Sequence, residues 1–351
     1  MVRTDSTVRR VLRIEGLPIT GVLILLVLAF MVSAPEVFLS YRIYMSFLAT
    51  VPPMLVIAAA LTLVIAAGEI DLSFPSVIAL SGWLLGYSIH ELDSPALGLA
   101  LALLGGAVVG YVNGFLVARM GIPSIIATLA TQFLWGGLTT VFSQGLSYSL
   151  GDVEETWLWQ LTVSRIGPFP VQAVWALAIA GAMWFVLNRR RFGEHLLFIG
   201  DNANVAEVVG VNVAREKIRA FMLMGVMAAF ASVLLTLENK NFFNTQGGGY
   251  LLEVMAAVFI GGTSVFGGQA TVIGTIAGSF LIGMVEAGLV ATGLQGFWVR
   301  AVVGVVFLGA VIGHMLIEGP QAGRVRFRAV RRRLRSRRSK PVRIDGANGR
   351  E

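Results

Sequence analysis

Ten predominantly apolar stretches follow one another along this chain, most of them close to the ~20 residues that an α-helix needs to cross the hydrocarbon core of a bilayer. In lipid every backbone N–H and C=O must be satisfied within its own segment, so stretches of this kind fold as helices. They cover residues 17–33, 45–67, 72–89, 95–118, 124–142, 171–187, 218–237, 251–265, 271–292 and 297–317. The third and eighth are short or interrupted by glycine, so the count is about ten. With 56% hydrophobic and 13% charged residues among 351, a soluble domain is excluded and the fold class is an all-α polytopic membrane protein. Pro35 follows the one small-residue pair at which the first stretch could be cleaved, and the stretch is longer and more apolar than a signal-peptide core. It reads as a retained anchor.

Orientation follows from Lys and Arg in the short connections. With the N-terminus inside, the cytoplasmic segments collect Arg3, Arg9, Arg10, Arg13, Arg119, Arg189, Arg190, Arg191, Arg215, Lys217 and Arg219. The outer side keeps Arg42, Arg165 and Lys240, with Arg300 near an outer span end. An even number of spans places both termini in the cytoplasm. The domains are then a cytoplasmic segment 1–16, a membrane domain 17–317 and a basic tail 318–351, which reads as a disordered stretch held near anionic lipid. That tail supplies more than the whole net charge of +7, and without interleaved aromatics beyond Phe327 it does not read as a nucleic-acid site. Lys occurs only at Lys217, Lys240 and Lys340 against many Arg, which points to G+C-rich bacterial coding and hence a bacterial plasma membrane. The chain has no Cys, and His90, His195 and His314 are too dispersed to form a metal-ligand spacing, so no metal site is expected.

Within the spans, small residues recur every fourth position at Gly106, Gly110 and Gly114, at Gly274 and Gly278, and at Gly309 and Gly313, ridges that let helices approach closely. Pro52 and Pro53 fall inside the second stretch and predict a bend.

Three polar interruptions carry the functional reading. Residues 188–217 form the longest and lie on the cytoplasmic side. Asp201 and Asn202 can cap a helix of about two turns from Ala203 to Val209, and Gly210 can end it, giving a soluble partner something to grip. The second is Gly68-Glu69-Ile70-Asp71-Leu72-Ser73-Phe74-Pro75-Ser76, where Ser73 can cap the next helix and Glu69, Asp71 and Ser73 are gate candidates. Its counterpart is Gly261-Gly262-Thr263-Ser264-Val265-Phe266-Gly267-Gly268-Gln269, and breaks in matching places of two halves suggest an internal duplication. Thr263 and Ser264 there, with Asn113, Thr128, Thr131, Gln132 and Glu253, complete the candidate translocation path, while Glu286 and Arg300 read as interface or bundle-pairing charges. On the outer side, residues 143–170 carry Trp157 and Trp159 beside Asp152, Glu154 and Glu155, suited to an interfacial helix or a docking surface.

The GEIDLS segment, Gly121-Ile122-Pro123-Ser124-Ile125-Ile126-Ala127-Thr128-Leu129, Phe192-Gly193 through Gly200-Asp201-Asn202 and Ala206 to Gly210-Val211-Asn212, and Gly261-Gly262-Thr263-Ser264 with Gly267-Gly268 resemble the permease subunits of ribose- and other monosaccharide-type ABC importers. The resemblance runs from Pro52 to Ile312. It implies two permease subunits, identical or related, two cytoplasmic ATPase subunits and a periplasmic or surface-anchored solute-binding protein. ATP and Mg²⁺ would be used by the ATPase partner, with no cofactor on this chain. The residues matching the part that docks on the ATPase are Gly193, Gly200, Asp201, Asn202, Ala206, Glu207, Gly210 and Asn212. Glu69 stands where the family commonly has a second Gly, Phe74-Pro75 replaces a usual Val-Gly, and Glu286 takes a position often held by Asn.

The chain lacks the G-x-x-x-x-G-K-[ST] phosphate loop, which fits a transport subunit driven by a separate motor. A branched-chain amino-acid-type permease of related topology is the runner-up, decided by the ligand of the binding protein. An ion-coupled secondary transporter would instead use Glu69, Asp71, Glu253 and Glu286 and work without ATP. A membrane enzyme would need a convergent nucleophile, acid–base pair or metal site, which these residues do not supply.

Overall fold

The computed structural model describes residues 16–293, 295 and 297–318; residues 1–15 of the expected cytoplasmic segment, the tail after Glu318 and the Arg300 side chain lie outside the described residues. Among the described residues, those up to Phe307 fall in one compact unit and those from Leu308 in a second. The described helices are α1 (Leu17–Ser33), α2 (Pro35–Phe38), α3 (Tyr41–Thr50), α4 (Pro52–Ala66), α5 (Phe74–His90), α6 (Pro95–Ala118) and α7 (Ser124–Ser143), then α8 (Trp157–Thr162), α9 (Val171–Arg189), α10 (Arg191–Val208), α11 (Val213–Glu238), α12 (Tyr250–Ile260), α13 (Val272–Ala291) and α14 (Phe297–Glu318). Five of them (α6, α7, α9, α11 and α13) are long and apolar enough to cross a membrane, and α3 with α4 makes a sixth as one bent span. Two expected stretches shrink as helices. The third begins at Phe74 instead of 72, and the eighth ends at Ile260 instead of 265, because Gly261 and Gly262 open the break there.

The bend between α3 and α4 is 51°, at Val51. Pro52 and Pro53 occupy the first two positions of α4, where their missing N–H groups cost nothing to the new helix but cannot continue the old one. Every residue of α4 is buried, and α9, α10, α11, α12 and α13 pack around it. Such an all-round apolar helix belongs at the centre of a bundle. Its one polar side chain, Thr62, is satisfied twice: the hydroxyl donates to the Ala58 carbonyl at 2.8 Å and lies 2.8 Å from Thr275 Oγ1 of α13.

The first glycine ridge seats α6 on α11. A Cβ on Gly106 would lie 2.3 Å from the Gly225 carbonyl oxygen, one on Gly110 2.3 Å from that of Phe221, and one on Gly114 2.7 Å from Ile218 Cα. The partners step backwards as the ridge advances, so the two helices run antiparallel. Gly274 and Gly278 seat α13 on Gly261 and Ala257 in the same way. The third ridge lies in the second unit, and Gly313 in it falls outside the residues whose surroundings are described.

The connections gather into two groups. In one, β1 (Tyr148–Ser149) pairs antiparallel with β4 (Asn241–Phe242), and the His90 ring lies 5.4 Å from that of Tyr148. This joins the end of α5, the loop after α7 and the end of α11. β2 (Arg165–Ile166) and β3 (Phe169–Pro170) form a hairpin after α8, whose first turn is capped by Thr156. The other group brings together the breaks at 67–73 and 261–271, the start of α7 and the middle of the long interruption, at Gly200 and Asp201 in α10.

Candidate translocation gate and coupling site

The first break is held against helix α7 by alternate amides. Ile70 N–H donates to Ser124 Oγ at 3.2 Å and Leu72 N–H to Thr128 Oγ1 at 3.1 Å. Two residues of extended chain advance ~6.6 Å and four residues of helix ~6 Å, so alternate amides of the break meet hydroxyls one helical turn apart. Deeper in, Ser73 N–H and Oγ both donate to Asp71 Oδ1, at 2.8 and 2.6 Å, Asn113 Nδ2 donates to Ser73 Oγ at 2.6 Å, and Thr131 Oγ1 donates to Asn113 Oδ1 at 2.7 Å. Asp71, Ser73, Asn113, Thr128 and Thr131 are all buried. The expected cap by the Ser73 side chain is not made. Its hydroxyl is engaged by a carboxylate, the stronger acceptor, and Pro75 removes one of the two N–H groups that a capping oxygen could reach. The Ser73 carbonyl closes the first turn of α5 instead, accepting from Ser76 N and Oγ at 2.9 and 2.7 Å.

Glu69 leaves this network and pairs with Lys217 in the first turns of α11, Oε1 to Nζ 2.5 Å, with the two side chains 14% and 16% exposed. The pair ties the break to the end of the long interruption.

The second break is shaped by its own hydroxyls. Thr263 Oγ1 accepts from Thr271 N at 3.3 Å and Ser264 Oγ from Phe266 N at 3.3 Å, while Thr271 caps α13. Gly267 and Gly268, at φ +83° and +77°, make the turn that brings it against the first break: Gly268 N–H donates to the Ala66 carbonyl at 3.0 Å.

In the 188–217 interruption α10 folds back on the end of α9. A Cβ on Gly193 would sit 2.3 Å from the Leu187 carbonyl oxygen, so only glycine fits. His195 Nδ1 reaches the buried Glu216 carboxylate at 3.2 Å and fastens α10 to α11, while Arg219 pairs with the same carboxylate at 3.3 Å from within α11. At Asn202 the helix is interrupted by extended backbone, and Asn202 Oδ1 accepts from the amides of Asn204 and Val205 at 3.1 and 3.2 Å. Asn202 therefore caps the short helix 203–208 by itself. Asp201, expected to share that role, stays in the preceding helical turn, because the chain leaves helical geometry one residue later. Gly210, at φ +92°, ends the element, with its N–H on the Glu207 carbonyl at 3.0 Å and Val211 N–H on that of Ala206 at 2.9 Å. Ala206 is buried, while Glu207 and the apolar Val205, Val208 and Val209 are exposed, Val208 by 87%. Asn212 caps α11 through Arg215 N.

The gate candidates thus fall in separate places. Asp71, Ser73, Asn113 and Thr128 form one network, Thr263 and Ser264 hold the adjoining break, and Glu69 faces Lys217. Gln132 is next to Thr131 in sequence, but its buried Oε1 has no hydrogen-bond partner among the described residues. Glu253 lies elsewhere, in the first turn of α12, far along the helix from the break that follows it. There it lines a cavity of about 550 Å³ with Ser46, Thr50, Tyr250 and Glu286. Lys217 and Ser124 do not stand among the gate candidates, yet both hold the first break. The signal for Ser124 was its i, i+4, i+7 register with Thr128 and Thr131 opposite a non-helical segment.

Residues 43–311 match the family described as branched-chain amino acid transport system / permease component. The chain belongs to this family. The matched stretch of the permease contains both breaks, the 188–217 interruption and Glu253 and Glu286 of the cavity. Among its relatives, the ribose import permease of Escherichia coli strain K12 is 33% identical over 265 residues, 73% of this chain and 80% of that protein. The fructose import permease of Rhizobium meliloti is 32% identical over 266 residues, 73% of each chain. The autoinducer 2 import system permease of Yersinia pestis is 31% identical over 264 residues, 74% of this chain and 73% of that one. No solved structure matches the permease.

Proposed function

We propose that this chain is the membrane-spanning permease subunit of a bacterial ATP-binding cassette importer and forms the path for a sugar or similar small polar solute. The observation that carries the reading is the likeness, over most of the chain, to permeases named for ribose, fructose and autoinducer 2 import. Although the family takes its description from amino-acid transport, none of these three relatives is named for an amino acid.

In this reading the membrane domain is 17–317, with ten spans, two related halves and both termini in the cytoplasm of a cell with an inner membrane. Segment 188–217 meets a separate ATPase subunit, which uses ATP and Mg²⁺; 143–170 faces the solute-binding protein, and a second permease subunit completes the pore. The exposed Val205, Val208 and Val209 on a capped, rigid helix suit a soluble partner's groove better than they suit water. The Asp71–Ser73–Asn113–Thr128 network and the break at Thr263 and Ser264 act as the inner gate.

The test is uptake in proteoliposomes containing the permease, its ATPase and its binding protein, with the solute chosen as the sugar that raises the binding protein's melting temperature. ATP-dependent uptake is expected. Uptake under an ion gradient without ATP, or stabilisation of the binding protein by a branched-chain amino acid alone, would overturn the reading.

A further inference from the structure

The coupling interruption touches the membrane domain at an unusual point. Gly200, two residues before the extended backbone at Asn202, lies in the seam between the two breaks. A Cβ there would be 2.0 Å from the Ala66 carbonyl oxygen and 2.3 Å from Gly268 N, the acceptor and donor of the one backbone hydrogen bond that joins the breaks. Across the same seam, a Cβ on Gly267 would meet Gly68 Cα at 2.6 Å, and one on Gly268 would meet Asp201 N at 3.1 Å. Three segments from distant parts of the sequence, 66–68, 200–201 and 267–268, therefore meet backbone to backbone with no side chain between them. Flexible side chains would absorb displacement at such a contact; peptide planes in van der Waals contact transmit it.

We propose that Gly200 is a positioning residue for energy coupling: it seats the coupling segment on both gate turns at once, so that a push on helix 203–208 reaches the two halves of the permease together. The idea rests on the permease reading above. It differs from a lever acting through one break, because displacement of α10 against either turn must also disturb the Ala66–Gly268 bond between them. The fastening of His195 to Glu216 fixes the same helix at its other end, which leaves the seat as the place where it bears on the breaks.

Gly200→Ala is the direct test, with Gly181→Ala as control, since Gly181 has nothing within 4 Å. Relief of the 2.0 Å contact requires the coupling segment to withdraw by more than about 1 Å. In proteoliposomes, Gly200→Ala should keep the ATPase bound and hydrolysing ATP while solute uptake falls by on the order of tenfold, the size of a typical coupling energy between sites. The amount of ATP spent per solute then rises by the same factor, and Gly181→Ala leaves it unchanged. Unchanged uptake in Gly200→Ala would overturn the proposal. Because that variant could fail to assemble, a second measurement uses an otherwise native complex: the chain has no Cys, so spin labels can be placed on Phe198→Cys and Phe266→Cys alone, both exposed. Their distance should be the same in the nucleotide-free complex and in one trapped with a non-hydrolysable ATP analogue. A change of several ångströms would mean that the segment slides across the break, and would sink the seat. If the unsubstituted complex takes up no solute with ATP, the permease reading fails, whatever the labels report.

Discussion

Replacing one partner of the Glu69–Lys217 pair tests how firmly the first break is tied to α11. At 2.5 Å and an effective dielectric constant near 20 the gross attraction is about 7 kcal/mol, but desolvation and the ordering of two long side chains offset most of it. Exposed pairs are worth about 0–1 kcal/mol, and breaking a fully buried one costs about 3–5. With 14% and 16% exposure this pair lies between those limits, so Glu69→Gln and Lys217→Met should each cost about 2 kcal/mol. The double variant should cost little more than either single, because neither charge is left stranded. That leaves a coupling energy of about 1–2 kcal/mol. The assay is a double-mutant cycle on thermal unfolding in detergent, where each kcal/mol lowers the midpoint by about 2 °C. Added salt should change the cycle little, since a shielded pair is weakly screened. If the two single effects simply add, to within about 0.5 kcal/mol, the pair does not tie the break to α11 and the argument is wrong.

Three further outcomes follow from the same geometry. Asn202→Ala removes the cap of helix 203–208 at a cost of about 1 kcal/mol and should speed hydrogen exchange at the Asn204 and Val205 amides, whereas Asp201→Asn should leave both rates unchanged. Val208→Asp, at a position 87% exposed, should shift stability by less than about 0.5 kcal/mol yet abolish co-purification of the ATPase subunit; retention of the ATPase would remove helix 203–208 from the docking surface. Gly110→Ala pushes a Cβ to within 2.3 Å of the Phe221 carbonyl and should cost about 2 kcal/mol in thermal unfolding, while Gly137→Ala, with nothing within 4 Å, should be neutral or stabilising.

Much of the helical order was legible because hydropathy acts over whole segments, and the cap at Asn202 and the stop at Gly210 were legible because they depend on local backbone chemistry. The role of Ser73 was misread for a reason of the opposite kind. Its competing acceptor, Asp71, is local, but the donor that fixes its hydroxyl, Asn113, is forty residues away. Glu253 reads as a path candidate because it is a carboxylate near a span, whereas its depth depends on how many turns of α12 separate it from Gly261. The glycine ridges divide on the same principle. Four-residue spacing states that a close approach is sterically allowed, and only the opposing helix decides where one occurs: α11 takes the first ridge and α12 the second. The seat at Gly200 was visible only as a motif residue, since no local signal says that two turns from distant segments will close on it.

The wholly buried helix α4 also constrains how the protein is made. Its enclosing helices α9, α11, α12 and α13 all follow it in the chain, the last ending at Ala291. As the ribosome emits the chain in order, α4 enters the bilayer with lipid or the insertion machinery in place of every neighbour but those before it, and its packing is completed only when synthesis has passed residue 291. A nascent chain arrested before α9 would therefore hold this helix in contact with lipid, and with its one hydroxyl already bonded to its own backbone, Thr62 could wait there without an unsatisfied polar group until Thr275 arrives.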